Sequence, residues 1–378
     1  FAKNFAVNIP KAELALVMCS KCNLVQLNNN FNLKYLYGPD YGYRTGINKT
    51  MTEHMRSIVS NVNKIVNLKK NDAVLDIASN DGTLLNFYSK TFFRVGIDPT
   101  IKKFRKYYNE INIKISDFFS KKLIRKKTKK NFKVITALSV FYDIENPNYF
   151  LKDVHELLDD DGIFILEQAD LLSIIKLKMF DTICHEHLEY YSHNVIIKLL
   201  EKNNLKLFDF KFNDINGGST QYYICKDKNT KIKVRKNKIM KMLNNEKKFR
   251  LDDVKTYKKF FIEIQSVKKK LNKFIKKIKS ENKVIHGYGA STKGNVLLQY
   301  FNINKNHIDC ISDRNPKKNG FYTPNTKIKI VSELYSRKIN PDYYLVLPWH
   351  FKKEILQREK KQRRYSKFIF PLPNLEIY

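Results

Sequence analysis

Residues 73–85, which read AVLDIASNDGTLL, decide the fold class. A short apolar run ends at polar residues and reaches Gly82, where the backbone must turn sharply. A buried run of this length followed by a turn predicts a strand, a tight turn and then a helix that begins near Thr83. The stretch is the first strand and turn in a series that repeats along the chain.

Three further runs of the same type follow at 92–97 (FFRVGI), 132–140 (FKVITALSV) and 162–169 (GIFILEQA). Helical spacing lies before and between these runs, for example in 48–66 and in 146–158 (NPNYFLKDVHELL). Strands that alternate with helices predict a parallel sheet covered on both faces. The chain is therefore predicted to have an α/β, Rossmann-like fold.

A long lysine-rich stretch at 247–280 separates this part from a second strand-turn-helix series at 283–378. Apolar residues recur in it at helical spacing, which predicts an amphipathic connector. A helix lying on a membrane surface is the alternative, because the polar face is so basic. No apolar run approaches the roughly 20 residues that span a bilayer.

The composition limits the partners and the compartment. The 378 residues carry a formal net charge of +34, yet 59 of the 71 basic residues are lysine and 12 are arginine. Recognition of phosphates and base edges favours arginine, and no nucleic-acid-binding motif is present, so a specific nucleic-acid partner is not expected. A basic α/β protein that binds nucleic acid remains an alternative function. Five cysteines in a chain of this length do not form a disulfide framework, which favours a reducing, cytoplasmic compartment.

Polar residues at the strand ends predict a nucleoside cofactor. Asp76 closes the first strand at the edge where open α/β sheets bind ligands. Asp98 ends the next strand and can accept both hydroxyls of a ribose, while Asp117 and Phe118 suit an adenine amine and its ring face. The combination predicts S-adenosylmethionine. A nicotinamide cofactor is the alternative, but it favours three glycines in the turn, and only Gly82 is present.

Six segments carry a family resemblance across essentially the whole chain. They are CSKCNLVQL (19–27), LDIASNDGTLL (75–85), FDTICHEHLEYYS (180–192), NGGSTQYY (216–223), GYGASTKGNVLLQYF (287–301) and LPWHFKKEIL (347–356). In this order they resemble the zinc-containing C-methyltransferases that act on nucleotide-linked keto-deoxy sugars. The resemblance does not specify the sugar, the methylated carbon or the oligomeric state.

The resemblance implies four parts. They are a partial zinc-binding-like segment with a substrate loop (1–47), a class I methyltransferase domain that binds S-adenosylmethionine (48–225), a basic helical connector (226–282) and a smaller Rossmann-like C-terminal domain (283–378). The cofactor turn of the second part is then formed by Ala78, Ser79, Asn80 and Gly82.

The resemblance also assigns catalytic roles. His187, the second histidine of the HEH run, is the implied base that removes a proton next to the sugar ketone, and Glu186 orients the substrate or the histidine. Tyr43 or Tyr41 closes over the methyl donor or the sugar. In the C-terminal part, Lys293 lies beside a glycine turn and the first amides of a helix, where we expect the nucleotide diphosphate.

Four positions depart from the family pattern. Cys184 stands where many relatives have tyrosine, and Ser139 and Asp143 replace an asparagine and a histidine at the end of the third strand. Ser139 and Asp143 remain candidate substrate-binding positions, although the substrate contacts that relatives make there cannot be assumed for these different side chains. Ala78 replaces the first cofactor glycine, which is tolerated if the backbone angle there is ordinary.

Cys19 and Cys22 form a CxxC pair, but a tetrahedral structural zinc needs four ligands. The resemblance implies a further cysteine pair upstream, and the chain begins at Phe1 without methionine. We therefore expect zinc in the full-length protein. A redox CxxC is the alternative, and it normally opens a helix after a strand, unlike this segment.

Overall fold

Strands and helices alternate along most of the chain in the computed structural model, which describes residues 1–4, 11–31, 36–37 and 41–378. The strands are β1 (Leu16–Met18), β2 (Val25–Leu27), β3 (Ala73–Ile77), β4 (Phe93–Ile97), β5 (Ile113–Ile115), β6 (Phe132–Leu138), β7 (Leu158–Ala169), β8 (Glu189–Tyr190), β9 (Leu205–Asn213), β10 (Ser219–Lys226), β11 (Ile285–Tyr288), β12 (Cys310–Asp313), β13 (Ile330–Ser332), β14 (Tyr343–Val346), β15 (Lys367–Phe370) and β16 (Glu376–Ile377). The helices are α1 (Lys49–Ile65), α2 (Ile101–Phe104), α3 (Lys121–Arg125), α4 (Pro147–Leu157), α5 (Leu171–Lys176), α6 (His193–Lys202), α7 (Lys236–Lys247), α8 (Val254–Ser280), α9 (Thr292–Tyr300), α10 (Glu333–Ile339) and α11 (Lys352–Arg358).

A seven-stranded sheet organises the larger of two compact units, which comprises Leu16–Leu171 and Glu186–Phe249. Its strand order is β5-β4-β3-β6-β7-β10-β9. The strands from β5 to β7 are parallel, whereas β10 is antiparallel to both β7 and β9. The α/β Rossmann-like prediction is confirmed, and the four predicted strands are β3, β4, β6 and β7.

Apolar side chains pack on both faces of this sheet. One face carries α1, whose Ile58 and Val62 are buried against Val74, Ile163 and other strand residues. The opposite face packs on α4 and α6. Each fully buried aliphatic or aromatic side chain stabilises the fold by roughly 1.5–3 kcal/mol, so the two layers hold the strand ends in fixed positions.

The prediction of a helix that begins near Thr83 is wrong. The segment between β3 and β4 contains only a short 3₁₀ turn at Leu85–Phe87. The buried Arg94 guanidinium donates to the carbonyl oxygens of Leu85 and Tyr88, which takes up carbonyls that a continuing helix would use. Charged hydrogen bonds from the sheet therefore compete with helix propagation here.

A small antiparallel sheet, β1-β2-β8, positions the HEH run. Strand β8 directly follows that run, and its Tyr190 and Glu189 pair with Val25 and Gln26 of β2. The Leu27 amide also donates to the Leu188 carbonyl oxygen at 2.8 Å. The segment that contains the CxxC pair is thereby hydrogen-bonded to the backbone beside His187.

The second compact unit comprises Phe1–Ala15, Leu172–His185 and Arg250–Tyr378. Its six-stranded sheet has the order β13-β12-β11-β14-β15-β16, with β16 antiparallel to β15. These units divide the chain differently from the expected domain ranges. The expected connector at 226–282 is split, because α7 packs with α6 in the larger unit and α8 belongs to the smaller one. Among the described residues, no helix is long and apolar enough to cross a membrane.

Candidate active site

The turn after β3 has a strained backbone. Ala78, Asn80 and Gly82 have φ angles of +56°, +50° and +75°. A Cβ atom on Gly82 would lie 2.9 Å from the Tyr108 ring, so glycine is required by space as well as by conformation. The φ angle of Ala78 lies in the left-handed region. Alanine was expected to replace the family's glycine without cost only at an ordinary backbone angle, and this condition is not met.

Side chains hold this turn from two sides. The Tyr108 hydroxyl lies 2.8 Å from Ser79 Oγ and donates to the Asn80 carbonyl oxygen at 2.8 Å. Asn80 Oδ1 accepts from the Thr45 amide at 2.9 Å, and Asp81 accepts from the Gly46 amide at 3.0 Å. Thr45 and Gly46 end the tyrosine-rich segment just before α1, and their amides are thus hydrogen-bonded to the turn after β3.

Two buried carboxylates lie at the ends of β3 and β4. Asp76 accepts from Thr136 Oγ1 at 2.5 Å, and burial raises its pKa to about 7. Asp98 accepts from the Asn80 amide at 2.9 Å and from the amide and hydroxyl of Thr100, and burial also raises its pKa. A carboxylate has about four acceptor positions, so three donors leave room on Asp98 for about one ligand hydroxyl rather than two.

The predicted adenine contacts follow β5. Asp117 is exposed, and its side chain accepts from the Phe118 amide at 2.8 Å. Phe118 is partly buried. The sheet order places β5 beside β4, so these residues follow the strand next to the one that ends at Asp98. This arrangement fits a nucleoside lying along three adjacent strand ends, with an ionisable group at each.

The HEH run meets the end of β6. The ring centroids of His187 and Tyr142 are 4.3 Å apart, and the next residue, Asp143, accepts from the Tyr37 hydroxyl at 2.6 Å. His187 contacts the segment that follows β6, and β6 is the neighbour of β3, the strand that contains Asp76.

Burial raises the pKa values of the ionisable groups in this cluster. Burial raises the pKa of Asp143 well above its usual value, and the charge of Glu186 adds to the effect. Burial also raises the pKa of Glu186, and the pKa of Tyr41 rises through burial and the nearby Glu186 charge. Among the described residues, Asp143 Oδ1 is buried and has no hydrogen-bond partner. A ligand hydroxyl that donated to it would remove an unfavourable buried acceptor.

The other predicted substrate positions lie nearby in the same unit. Ser139 has a φ of +55°, and its amide donates to the Glu167 carbonyl oxygen at 2.7 Å. Tyr43 is 47% exposed, and its carbonyl oxygen accepts from the Asn80 side chain. Tyr43 is therefore attached to the cofactor turn, whereas Tyr41 contributes to the acid cluster. Residues 38–40 of the predicted tyrosine loop lie outside the described residues.

The CxxC segment forms a tight turn, and the backbone amides of Lys21 and Cys22 face the sulfur of Cys19. The Asn23 amide donates to the Cys19 carbonyl oxygen at 2.9 Å, and the amides of Cys22 and Lys21 lower the pKa of the Cys19 thiol. A thiolate prepared in this way suits zinc. Among the described residues, however, Cys19 and Cys22 belong to no group of three potential metal ligands, so they offer half of a tetrahedral site.

Two protein families match the chain. Residues 49–209 match the family described as methyltransferase domain, and residues 214–373 match the C-methyltransferase C-terminal domain. Together the two matches span most of the chain, which is therefore similar to the C-methyltransferases. This enzyme is therefore an S-adenosylmethionine-dependent methyltransferase, which displaces the nicotinamide alternative.

The methyltransferase is similar along most of its length to a curated relative. The C-methyltransferase NovU of Streptomyces niveus is 28% identical over 369 residues, which cover 96% of this chain and 87% of that protein. Among solved structures, the plantazolicin methyltransferase BamL is 15% identical with a TM-score of 0.38 and covers 48% of this chain and 87% of its own. Magnesium protoporphyrin IX methyltransferase of Synechocystis PCC 6803 is 15% identical with a TM-score of 0.37, covering 51% and 92%. Scores this low assign no ligand to this methyltransferase.

Lys293 lies in the smaller unit of the methyltransferase, in a polar cluster. Ser291 caps α9 and accepts from the Gly294 amide at 3.0 Å, which takes one of the first-turn amides expected to face a phosphate. Burial lowers the pKa of Lys293, and the charge of Asp181 opposes this change. Asp181 is fully buried and accepts from the Trp349 indole at 2.9 Å, while its Oδ1 has no hydrogen-bond partner among the described atoms.

Sequence reasoning missed a second polar group in the larger unit. Glu167 near the end of β7 is 1% exposed, and it lies 2.6 Å from the imidazole of His54 on α1. The signal was present in the sequence, because a glutamate follows four apolar residues in the run GIFILEQA. Its partners were not predictable, since they come from α1 and from two strands far along the chain.

Proposed function

We propose that this C-methyltransferase methylates a carbon next to the ketone of a nucleotide-linked deoxy sugar. The observation that carries the proposal is the position of His187, whose imidazole packs on Tyr142 beside Asp143 at the strand end next to Asp76. The similarity to NovU, a C-methyltransferase, supports carbon as the acceptor atom. The six motif segments support the sugar nucleotide.

His187 acts as the base in this scheme. Neutral imidazole accepts a proton near physiological pH, so His187 takes the proton from the carbon beside the ketone and leaves an enolate. S-adenosylmethionine would supply an electrophilic methyl group to this carbon and would leave as S-adenosylhomocysteine, and the ketone would be restored. His187 then releases the proton to solvent.

The acids around His187 bind the substrate. Burial raises the pKa values of Asp143 and Glu186, and hydrogen bonds from sugar hydroxyls would offset the cost of burying these two groups. Tyr37 fixes the orientation of Asp143 through its hydroxyl. Tyr41 and Ser139 complete the proposed sugar site, and Tyr43 adjoins the cofactor turn.

The cofactor is proposed to lie along the carboxyl ends of β3, β4 and β5. The turn Ala78–Gly82 and Asp76 adjoin its methionine part, Asp98 accepts one ribose hydroxyl, and Asp117 with Phe118 takes the adenine. Lys293 is proposed to contact the diphosphate of the sugar nucleotide, with the Asp181 carboxylate fixing the lysine. A cytoplasmic location remains a prediction.

Mass spectrometry with isotope-labelled methyl donor and a panel of keto-sugar nucleotides tests the function. With a ¹³C-labelled methyl group we expect a product about 15 mass units heavier from the wild type, and a loss of about 10²–10⁴-fold in turnover for His187→Asn, which removes the base. Lys293→Ala is expected to raise the KM for the sugar nucleotide and leave donor affinity unchanged. His307→Gln, at a half-buried position of the smaller unit, serves as the control.

Full turnover by His187→Asn would remove His187 from its role. Transfer to oxygen or nitrogen, seen from the position of the label by NMR, would refute carbon methylation of a keto sugar.

We further propose that Cys19 and Cys22 supply half of a structural zinc site, completed by two ligands from outside the described residues. Elemental analysis of the purified protein should find about one zinc per chain, and Cys19→Ser with Cys22→Ser should remove it. Cys310→Ser is the matched control. Equal zinc content in the double variant would contradict the proposal.

A further inference from the structure

A buried glutamate of the larger unit is hydrogen-bonded to three side chains. Glu167 Oε1 lies 2.6 Å from His54 Nε2, and Oε2 accepts from Asn213 Nδ2 at 2.9 Å and from Gln221 Nε2 at 2.7 Å. Glu167 is 1% exposed, so these partners fix its carboxyl group in one orientation. A carboxyl group held in this way orients the imidazole that it contacts.

This arrangement fixes the imidazole of His54. Its Nε2 faces Glu167, and Met51 and Met55 on the same helix are buried in the core, so the helix cannot rotate the ring away. The His54 side chain is 11% exposed. Nδ1 is the ring nitrogen that does not face Glu167.

The His54–Glu167 pair lies beside the strand end that forms part of the proposed sugar site. Glu167 lies beside Ser139, whose amide donates to the Glu167 carbonyl oxygen at 2.7 Å and whose hydroxyl accepts from Asn216 at 3.3 Å. Three residues after Ser139, Tyr142 packs on His187. Two imidazoles are therefore attached to the same strand end, His187 through Tyr142 and His54 through Glu167.

We propose that His54, held by Glu167, is a further catalytic residue that donates a hydrogen bond from Nδ1 to the ketone oxygen of the acceptor. A base alone does not suffice for this reaction, since removal of the carbon-bound proton places negative charge on that oxygen. The proton goes to His187, the electron pair passes into the enolate, and His54 keeps its own proton while it stabilises the oxygen. The inference rests on the proposed function, because it requires a ketone.

A buried carboxylate behind the imidazole strengthens this donor. Glu167 holds the ring in one orientation, and an oriented donor in a site shielded from water stabilises a developing oxyanion more strongly than mobile solvent does. Loss of one such donor typically lowers turnover by about 10²–10³-fold. A purely structural pair would change stability and leave turnover of the folded enzyme unaltered.

Proton exchange separates this role from methyl transfer. Wild type and His54→Gln are incubated in D₂O with S-adenosylhomocysteine and the keto-sugar nucleotide, and deuterium uptake at the acidic carbon is followed by mass spectrometry. The glutamine side chain can still donate to Glu167 but has no ring N–H to offer to the ketone. We expect exchange and kcat to fall by about 100-fold, with S-adenosylhomocysteine affinity and Tm near wild type. Glu53→Gln on the exposed face of α1 should behave as wild type.

Exchange at the wild-type rate by folded His54→Gln would overturn the inference. If that variant does not fold, Glu167→Gln takes its place, and failure of both to fold would show a structural pair and equally overturn it. Absence of both exchange and methylation in the wild type, for every keto sugar of the panel, would instead refute the proposed function. Wild-type activity combined with unimpaired His54→Gln refutes only the role of His54.

Discussion

Ala78 adopts a φ of +56° in the turn that follows β3. A left-handed conformation costs an L-residue about 1–2 kcal/mol, and glycine avoids that cost. The residue type was readable from the sequence, but its backbone angle depends on how Asp98, Thr45 and Tyr108 hold the turn. Those partners are distant in the chain, so the strain could not be predicted.

Asp76 should make the stability of the fold depend on pH. Its pKa rises from 3.8 to about 7 on folding, so the stabilisation is complete below pH 3.8 and is lost as the pH rises through 7. At about 1.4 kcal/mol per unit, the change is of the order of 4 kcal/mol. Asp76→Asn removes the ionisation, and its urea midpoint should therefore exceed that of the wild type at pH 8 and match it at pH 4.

The control for this prediction is Asp214→Asn, since Asp214 is exposed. That variant should follow the wild-type pH dependence. A wild type and Asp76→Asn whose unfolding midpoints change in parallel between pH 4 and pH 8 would contradict the raised pKa of Asp76.

At the scale of elements, a carboxylate from one helix binds the start of another. Glu246 of α7 accepts from the amides of His193 at 2.6 Å and Asn194 at 3.0 Å, the first two residues of α6. Ser192 caps the same end by accepting from the Val195 amide at 3.2 Å. The negative charge also lies favourably at the positive end of the helix dipole.

Glu246→Ala should destabilise the larger unit by roughly 2–4 kcal/mol, because it leaves two buried amides without acceptors. Glu246→Gln keeps one acceptor and should cost about half as much. Chemical denaturation measures both, with exposed Glu201→Ala on α6 as the control. A change below about 0.5 kcal/mol in Glu246→Ala would show that solvent replaces the carboxylate at these amides.

Strong periodicity made most elements of the larger unit predictable. The four parallel strands and the helices at 48–66 and 146–158 appear as β3, β4, β6, β7, α1 and α4. The helix expected near Thr83 does not form, because Arg94 takes up carbonyls of that segment. The pairing of β8 with β2 was not readable, since two-residue strands have no period and their register depends on distant partners.

For the whole molecule, motif order was more informative than composition. The net charge of +34 suggested nucleic acid, but most of it is lysine, and lysines fill the exposed face of the long helix α8. Six segments in order identified the family, and the two family matches confirm it. The roles of single residues remain predictions, because they depend on where side chains converge around substrates.

Trp349 is the single tryptophan of the chain, and its indole donates to buried Asp181, whose charge acts on Lys293. Indole emission is sensitive to nearby charge and solvation. The enzyme thus carries its own fluorophore beside the lysine proposed to meet the diphosphate. Titration with unlabelled nucleotide sugar can be followed optically, separately from catalysis.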